Sequence, residues 1–542
     1  MRMTPPVLRG VAVVALAISL PVVPLSAQTL RIGLASEASS ADPHFHNLGP
    51  NNQLRRSVFE SLVDNDEAQQ LSPLLAESWE PIDENRWQFN LRTDVKFSDG
   101  SPFDAYDVIY TVCRIPGVPD SPSLLTTYTK AIMDFEVPDP HTLIVHTDGP
   151  YPLLPTEFST FGIISAKANG VDGAAIDFSP DGCGDLNYPA TQAFNDTSAA
   201  IGTGPFLMES YRRGESVVLV RNPDYWGEPA AWERVTLLPL TSAGPRVAAL
   251  IAGDVDLVEN PPLQDLDRLN ADSTLRVVQG ISNRVIYIHL DHELVPSPMI
   301  RNTDGVNPLQ DIRVREALSI AINRDAIVAR IMGGVAVAAG ELLPPGMFGA
   351  HEEGDLPPNA FDADRAKALL AEAGYPNGFG ITLGTPNDRY INDAQVSQAV
   401  AQMWTQIGVE TDIDASTAST FFSRRNAQEF SAYLAGWGAG TGEMSSPLKA
   451  LLATFDRDRG FGGTNAGRYS NPAMDDVLTE ALRTVDDDAR QELLRKASRM
   501  AMEDFAIIPL HYEVSPWAMK ATIDYTPRAD QYTLPYRVRA AQ

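Results

Sequence analysis

The residues best suited to chemistry in this 542-residue chain sit in short loops and bind better than they react. In Asn387-Asp388-Arg389-Tyr390, Arg389 carries a planar fork of N–H donors that matches a carboxylate with two parallel bonds, or else pairs with a surface acid. In Gly436-Trp437-Gly438-Ala439-Gly440-Thr441-Gly442, Trp437 offers an aromatic face, and the glycines let backbone amides and carbonyls come close to a ligand. That run lacks the spacing of a dinucleotide fingerprint and no helix opens from it, so nucleotide binding is disfavoured. His44, Phe45 and His46 lie in a loop that starts at Asp42-Pro43, and His289 and His292 lie at a strand's end. A metal needs further His, Cys or carboxylate donors converging in space, which local spacing does not establish, so both pairs are read as ordinary polar loop residues and no metal or cofactor is expected.

Nucleophile elbows, zinc-protease motifs and P-loops are all missing, which argues against an enzyme, though only weakly because catalytic triads assemble over long range. The two cysteines, Cys113 and Cys183, either bridge or stay as free thiols, and an oxidising compartment favours the bridge.

The elements that must position these loops alternate between strand and helix. After a strand at Leu30–Leu34 come a helix from about Asn52 to Val63 and the alternating strand Trp87-Gln88-Phe89-Asn90-Leu91. Strands at Ile132–Val137 and Leu143–His146 follow, then an irregular excursion over 165–198. Beyond it, strands are expected at Val217–Val220, Val235–Leu240, Val255–Val258, Leu275–Val278 and Val285–Leu290. Later helices cover Asp311–Ile322 and Asp362–Ala373, with strands at Ile381–Leu383, Val409–Ile413, Tyr433–Ala435 and Ala506–Pro509. Mixed alternation of this kind implies layered α/β lobes.

The N-terminus decides the compartment. Arg2 and Arg9, an apolar run from Val11 to Leu20, the breakers Pro21 and Pro24, and Leu25-Ser26-Ala27 are the parts of a secretory signal peptide spanning 1–27 and cleaved after about Ala27. The protein is therefore expected to be periplasmic. A net charge of −28 repels nucleic acid and anionic lipid. Composition at 44% hydrophobic and 21% charged is that of a globular protein.

Several motifs accumulate in order. They are Glu77-Ser78-Trp79-Glu80, then Trp87 to Arg92, and Val95-Lys96-Phe97-Ser98-Asp99-Gly100-Ser101-Pro102-Phe103 running into Asp107-Val108. Gly202-Thr203-Gly204-Pro205-Phe206, Arg221-Asn222-Pro223-Asp224-Tyr225-Trp226, Gly253-Asp254-Val255-Asp256 and Ala371-Glu372-Ala373-Gly374-Tyr375-Pro376 follow. Together they resemble family 5 of the extracellular solute-binding proteins of ABC transporters, the group of dipeptide-, oligopeptide- and nickel-binding proteins.

That resemblance implies a two-lobed, type II periplasmic-binding-protein-like α/β fold with an extra N-terminal subdomain. Lobe I would take 28–58, 186–280 and 508–542, the extra subdomain 59–185, and lobe II 281–507, with crossings near Ser282 and Pro509. It further implies a monomer that captures a small peptide or other polar solute between its lobes and hands it to ABC permease subunits in the inner membrane. The three loops become the expected cleft walls: His44, Phe45 and His46; Asn387, Arg389 and Tyr390; Trp437, Gly438 and Glu443. Peptide-binding members resemble Gly-Trp-x-x-Asp in the last loop, where the Asp receives the peptide's amino end. Here Gly440 stands in its place, so either Glu443 compensates or the solute lacks a free amino end. Competing readings are an extracytoplasmic hydrolase and a chemoreceptor ligand-carrier on the same scaffold.

Overall fold

The opening strand forms over Thr29–Leu34, with Leu30 and Ile32 wholly buried. It pairs in parallel with Arg234–Pro239 on one side and Leu257–Glu259 on the other, and the antiparallel hairpin Phe206–Arg212 and Ser216–Arg221 extends the sheet. The structure, a computed structural model, describes residues 28–180 and 182–541, so the expected signal peptide lies outside the described residues.

Two long strands carry this sheet into a second half. Leu275–Leu290 runs antiparallel to Ile507–Lys520 along most of its length. Toward Lys520 the pair is continued by Leu257–Glu259. Toward Leu290 it is continued by Ala432–Gly438 and then by Phe379–Pro386 and Val409–Ser416, which pair in parallel. All these strands belong to one 12-stranded sheet. The strands expected separately at Leu275–Val278 and Val285–Leu290 are thus one element, with a register shift between Ile281 and Val285. Gly280, Ser282 and Asn283 interrupt the apolar run and read as an end, whereas the backbone bulges there and continues. The strand expected over Ala506–Pro509 likewise runs on to Lys520. Every residue from Ile507 to Met519 is buried, and a strand covered on both faces loses the alternation that marks a half-buried one.

A separate four-stranded antiparallel sheet holds Ala76–Asp83, Arg86–Leu91, Thr142–Thr147 and Ile132–Asp139, in that order. Trp87, Phe89 and Leu91 point inward as their alternation requires. They share an apolar core with the helix Ala105–Arg114, whose start is fixed by a capping box between Asp104 and Asp107. Among its described residues, the stretch 165–198 contains only the short helical segments Lys167–Asn169, Gly173–Ala175 and Thr191–Asn195. It is tied down by a disulfide between Cys113 and Cys183, whose Cα atoms are 5.6 Å apart. Among the described residues no helix is long and apolar enough to cross a membrane.

Candidate functional site

Where the long strand bulges, Asn283 and Arg284 open onto a cleft of about 860 Å³. One wall comes from the loop Ala35–Glu37 after the opening strand and from the first turn of the helix Gly49–Val58. The other comes from Arg389 and Tyr390, from the helix Ala418–Asn426, and from the end of the strand Ala432–Gly438. Asp530, Gln531 and Tyr532, in the loop beyond the second long strand, also line it. Both halves of the large sheet therefore contribute, as a site between lobes requires.

The glycines around Trp437 are explained by packing. A side chain at Gly436 would meet Ile286 Cδ1 and Tyr390 Cε1 at 2.8 Å, and one at Gly438 would meet the Arg284 guanidinium at 3.1 Å. Tyr390 can thereby lie against the strand and donate its hydroxyl to the Gly436 carbonyl at 3.2 Å. Gly440 differs, because a Cβ there would meet nothing within 4 Å. Trp437 is half-buried and donates its indole N–H to Ser446 Oγ at 3.3 Å.

The charged groups divide into engaged and free. Arg284 pairs with the buried Glu513 at 3.2 Å. Asp530 pairs with Arg528 at 2.6 Å, and Glu37 accepts the Gly214 N–H at 2.7 Å. Glu259 accepts the Ala35 N–H at 2.8 Å and the Gln53 amide at 3.1 Å, and burial pushes its carboxyl up from the usual range. Among the described residues Arg389 and Arg425 form no ion pair. The guanidinium of Arg389 lies 5.1 Å from the Tyr390 ring centre and that of Arg425 lies 4.8 Å from the Phe422 ring centre. Arg425 also donates to the Asn426 side-chain oxygen, from Nε at 3.2 Å and from Nη2 at 2.8 Å.

Of the residues expected from sequence, Arg389, Tyr390, Trp437 and Gly438 line the cleft together. Asn387 is exposed and outside the lining, as are the half-buried Phe45 and His46, whose neighbour Asn47 does line it. His44 is wholly buried: its Nδ1 accepts from Arg114 Nη1 and its Nε2 meets the Gly162 carbonyl, both at 2.8 Å. Burial, with the Arg114 charge beside it, pushes His44 down to about 3. Glu443 is also buried, held by Arg490 at 2.8 Å and by the Ser445 hydroxyl, and it is not in the lining. His289 belongs to the core, stacked on Tyr433 with ring centres 5.5 Å apart.

Phe422, Arg425, Asn283 and the Asp530–Tyr532 loop escaped sequence reasoning. The one local signal was Phe421-Phe422 followed by Arg424-Arg425, two aromatic–arginine pairs on a helix too polar to stand out. The C-terminal loop reaches the cleft only through the sheet's topology.

The sequence profile of bacterial extracellular solute-binding proteins, family 5 Middle, matches residues 70–458. The periplasmic oligopeptide-binding protein OppA of Salmonella typhimurium is 27% identical over 90% of this chain and 89% of its own. The glutathione-binding protein GsiB of Salmonella paratyphi A is 27% identical over 93% of each. The structure of HbpA2 from Haemophilus parasuis superposes with a TM-score of 0.80 at 23% identity, covering 95% of this chain and 100% of that one. With the two-lobed architecture, the cleft and this match along the chain in place, the protein belongs to the family 5 bacterial extracellular solute-binding proteins.

Proposed function

We propose that this chain is the capture component of an ABC import system, taking up a small peptide or other polar solute in the cleft and delivering it unchanged to permease subunits in the inner membrane. The observation that carries this reading is the position of the cleft. It opens at the bulge of a strand shared by both halves of the sheet, so the halves can turn about that bulge and shut on a guest. Lobe I then takes 28–58, 186–280 and 508–542, with 59–185 as its added subdomain, and lobe II takes 281–507. The relatives named for oligopeptide and glutathione support a peptide-like guest. A volume of about 860 Å³ is in the ~300–1,000 Å³ range of sites that enclose a small ligand. Trp437, Tyr390 and Phe422 supply apolar faces, with Arg389 and Arg425 as charged anchors. Relatives named as periplasmic, together with the leader expected from sequence at 1–27, support the same location for this chain.

Moving a lobe equilibrium from 1:99 to 99:1 takes about 5.5 kcal/mol of differential binding, and a ligand held at ~1 μM supplies ~8 kcal/mol in total. A modest ligand is enough. Native mass spectrometry of the protein isolated from its own periplasm should show a bound small solute, and scattering should show a more compact particle with that solute than without it. An identical shape in both states, or a solute returned chemically altered, would overturn the reading in favour of an extracytoplasmic enzyme.

A further inference from the structure

The long strand Leu275–Leu290 also lines a second cavity, of about 640 Å³, with Gly280 and Ile281. These two residues come just before those that it gives to the cleft, and the two spaces share no lining residue. Pro527 and Ala529 of the C-terminal loop complete one side. The other side is the loop over 340–358, which follows the strand Ala336–Ala338. That loop is drawn shut on itself, since a Cβ at Gly340 would collide with the Leu356 carbonyl oxygen. Five prolines in the lining restrict the backbone around the cavity, so it is formed in advance of any guest. Ile281 and Val337 in its walls are 44% and 37% exposed, an uncovered aliphatic surface that a guest with an apolar body would remove from water.

The polar side chains of the lining are acids or acceptors. Glu67, Glu352 and Glu353 are among them, and no Lys or Arg is. Glu352 lies 3.4 Å from Arg495, whereas Glu67 and Glu353 have no basic partner among the described residues. The Tyr512 hydroxyl is already committed, donating to the Leu343 carbonyl at 2.7 Å. His351 is buried, with its side chain 5% exposed, yet one end of its ring stays open. Its Nδ1 lies 3.0 Å from Glu341 Oε2, which also accepts the Ser498 hydroxyl at 2.7 Å, and Glu341 Oε1 accepts the His351 backbone N–H at 2.7 Å. A carboxylate only accepts, so Nδ1 carries the proton and Nε2 keeps a lone pair. Nε2 has no hydrogen-bond partner among the described residues, and it is not one of the polar atoms sealed away from all open space.

We propose that this cavity is a second binding site, for a small amphipathic amine. The apolar body of the guest covers Ile281 and Val337, and its ammonium group donates to His351 Nε2 in the field of Glu67, Glu352 and Glu353. An anion of the same shape meets like charge and no cationic side chain in the walls. The site is independent of what the cleft holds.

The test titrates three indoles of similar shape, tryptamine, 3-ethylindole and indole-3-propionate, calorimetrically into the full-length mature protein. Tryptamine should bind at least about tenfold tighter than 3-ethylindole, the size of a charged hydrogen bond, and indole-3-propionate should bind weakest of the three. Val337→Trp fills the cavity from an exposed position and should weaken tryptamine and 3-ethylindole alike by at least about tenfold. His351→Phe keeps the bulk of a ring and removes the acceptor. It should weaken tryptamine by about tenfold and leave 3-ethylindole within about threefold, a split that a loosened fold does not produce. Unchanged circular dichroism and melting would show that both variants still fold. Indole-3-propionate bound as tightly as tryptamine, tryptamine bound equally by the parent and Val337→Trp, or no binding of any of the three at millimolar concentration would overturn the proposal.

Discussion

Glu60 is a carboxylate with almost no access to water, at 4% exposure, and it meets Tyr225 Oη at 2.7 Å and Trp226 Nε1 at 2.8 Å. Both contacts favour the charged form, yet burial outweighs them and lifts the carboxyl from 4.5 to about 7. The folded state then binds this proton more tightly than the unfolded chain does, so stability falls as pH rises from about 4.5 through about 7. A rise of that size corresponds to about 3 kcal/mol. Glu60→Gln keeps the shape and removes the titration. The stability of the variant relative to the parent should therefore improve by about 2–3 kcal/mol between pH 5 and pH 8, followed by urea denaturation at each pH. A constant gap would mean that Glu60 ionises freely. The comparison must be differential, because His44 and His511, lowered to about 3 and about 4 by burial, act the other way and cost stability as pH falls below 6.5. Arg114 supplies a second prediction at this scale. It pairs with Asp42 at 2.6 Å with both side chains buried, so Arg114→Met should cost about 3–5 kcal/mol in the same assay by leaving Asp42 uncompensated. The loop containing His44 was recognisable in sequence as polar and structured. The buried arginine that explains it lies 72 residues away and was not recognisable there.

Elements were legible where local chemistry sets them. The alternation at Trp87, Phe89 and Leu91 gives a half-buried strand, and Asp311, Asn323 and Asp362 cap helices by accepting backbone N–H bonds from Arg313, Ala326 and Arg365. The two long strands were legible only in pieces, because a bulge and two-sided burial erase the pattern that marks a strand. The excursion over 165–198 had no regular pattern, and its order depends on ties to other elements. One tie is the Thr191 hydroxyl on Asp42 at 2.8 Å, and another is the Cys113–Cys183 bridge. A bridge closing 70 residues removes chain entropy worth about 4 kcal/mol from the unfolded state. Replacing both cysteines by serine should therefore lower stability by about 2–5 kcal/mol and open 165–198 to limited proteolysis before the rest of the chain. A loss under about 1 kcal/mol with no new cleavage site would mean that packing around Leu186 and Tyr188 holds the segment by itself.

At the scale of the whole molecule, the proposed capture function depends on what resists or assists rotation about the bulged strand. The tip of the hairpin Val63–Asn65 and Leu71–Pro73 is wedged at that place. Gln69, buried and with a φ of 64°, donates to the Gly440 carbonyl at 3.2 Å and accepts from Asn283 Nδ2 at 2.9 Å. Gln70 reaches the Gly346 carbonyl at 3.0 Å, and the Glu67 carbonyl accepts the Ala529 N–H at 2.8 Å. One tip thus touches the C-terminal loop, the bulge and the loop after Trp437, all of which meet at the cleft. Loss of the two Gln69 side-chain bonds removes about 1–3 kcal/mol. If these bonds form only when the lobes are shut, Gln69→Ala moves the empty protein toward the open state and weakens solute binding by about 5–100-fold. That loss should appear mainly as faster release, since the docking surface itself is unchanged. Stopped-flow tryptophan fluorescence, with Trp437 in the wall as reporter, measures the release rate, and scattering at saturating solute should return the compact shape of the parent. If Gln69→Ala lowers the melting temperature of the empty protein and leaves affinity alone, the wedge is present in both states, and the hinge must turn without disturbing it.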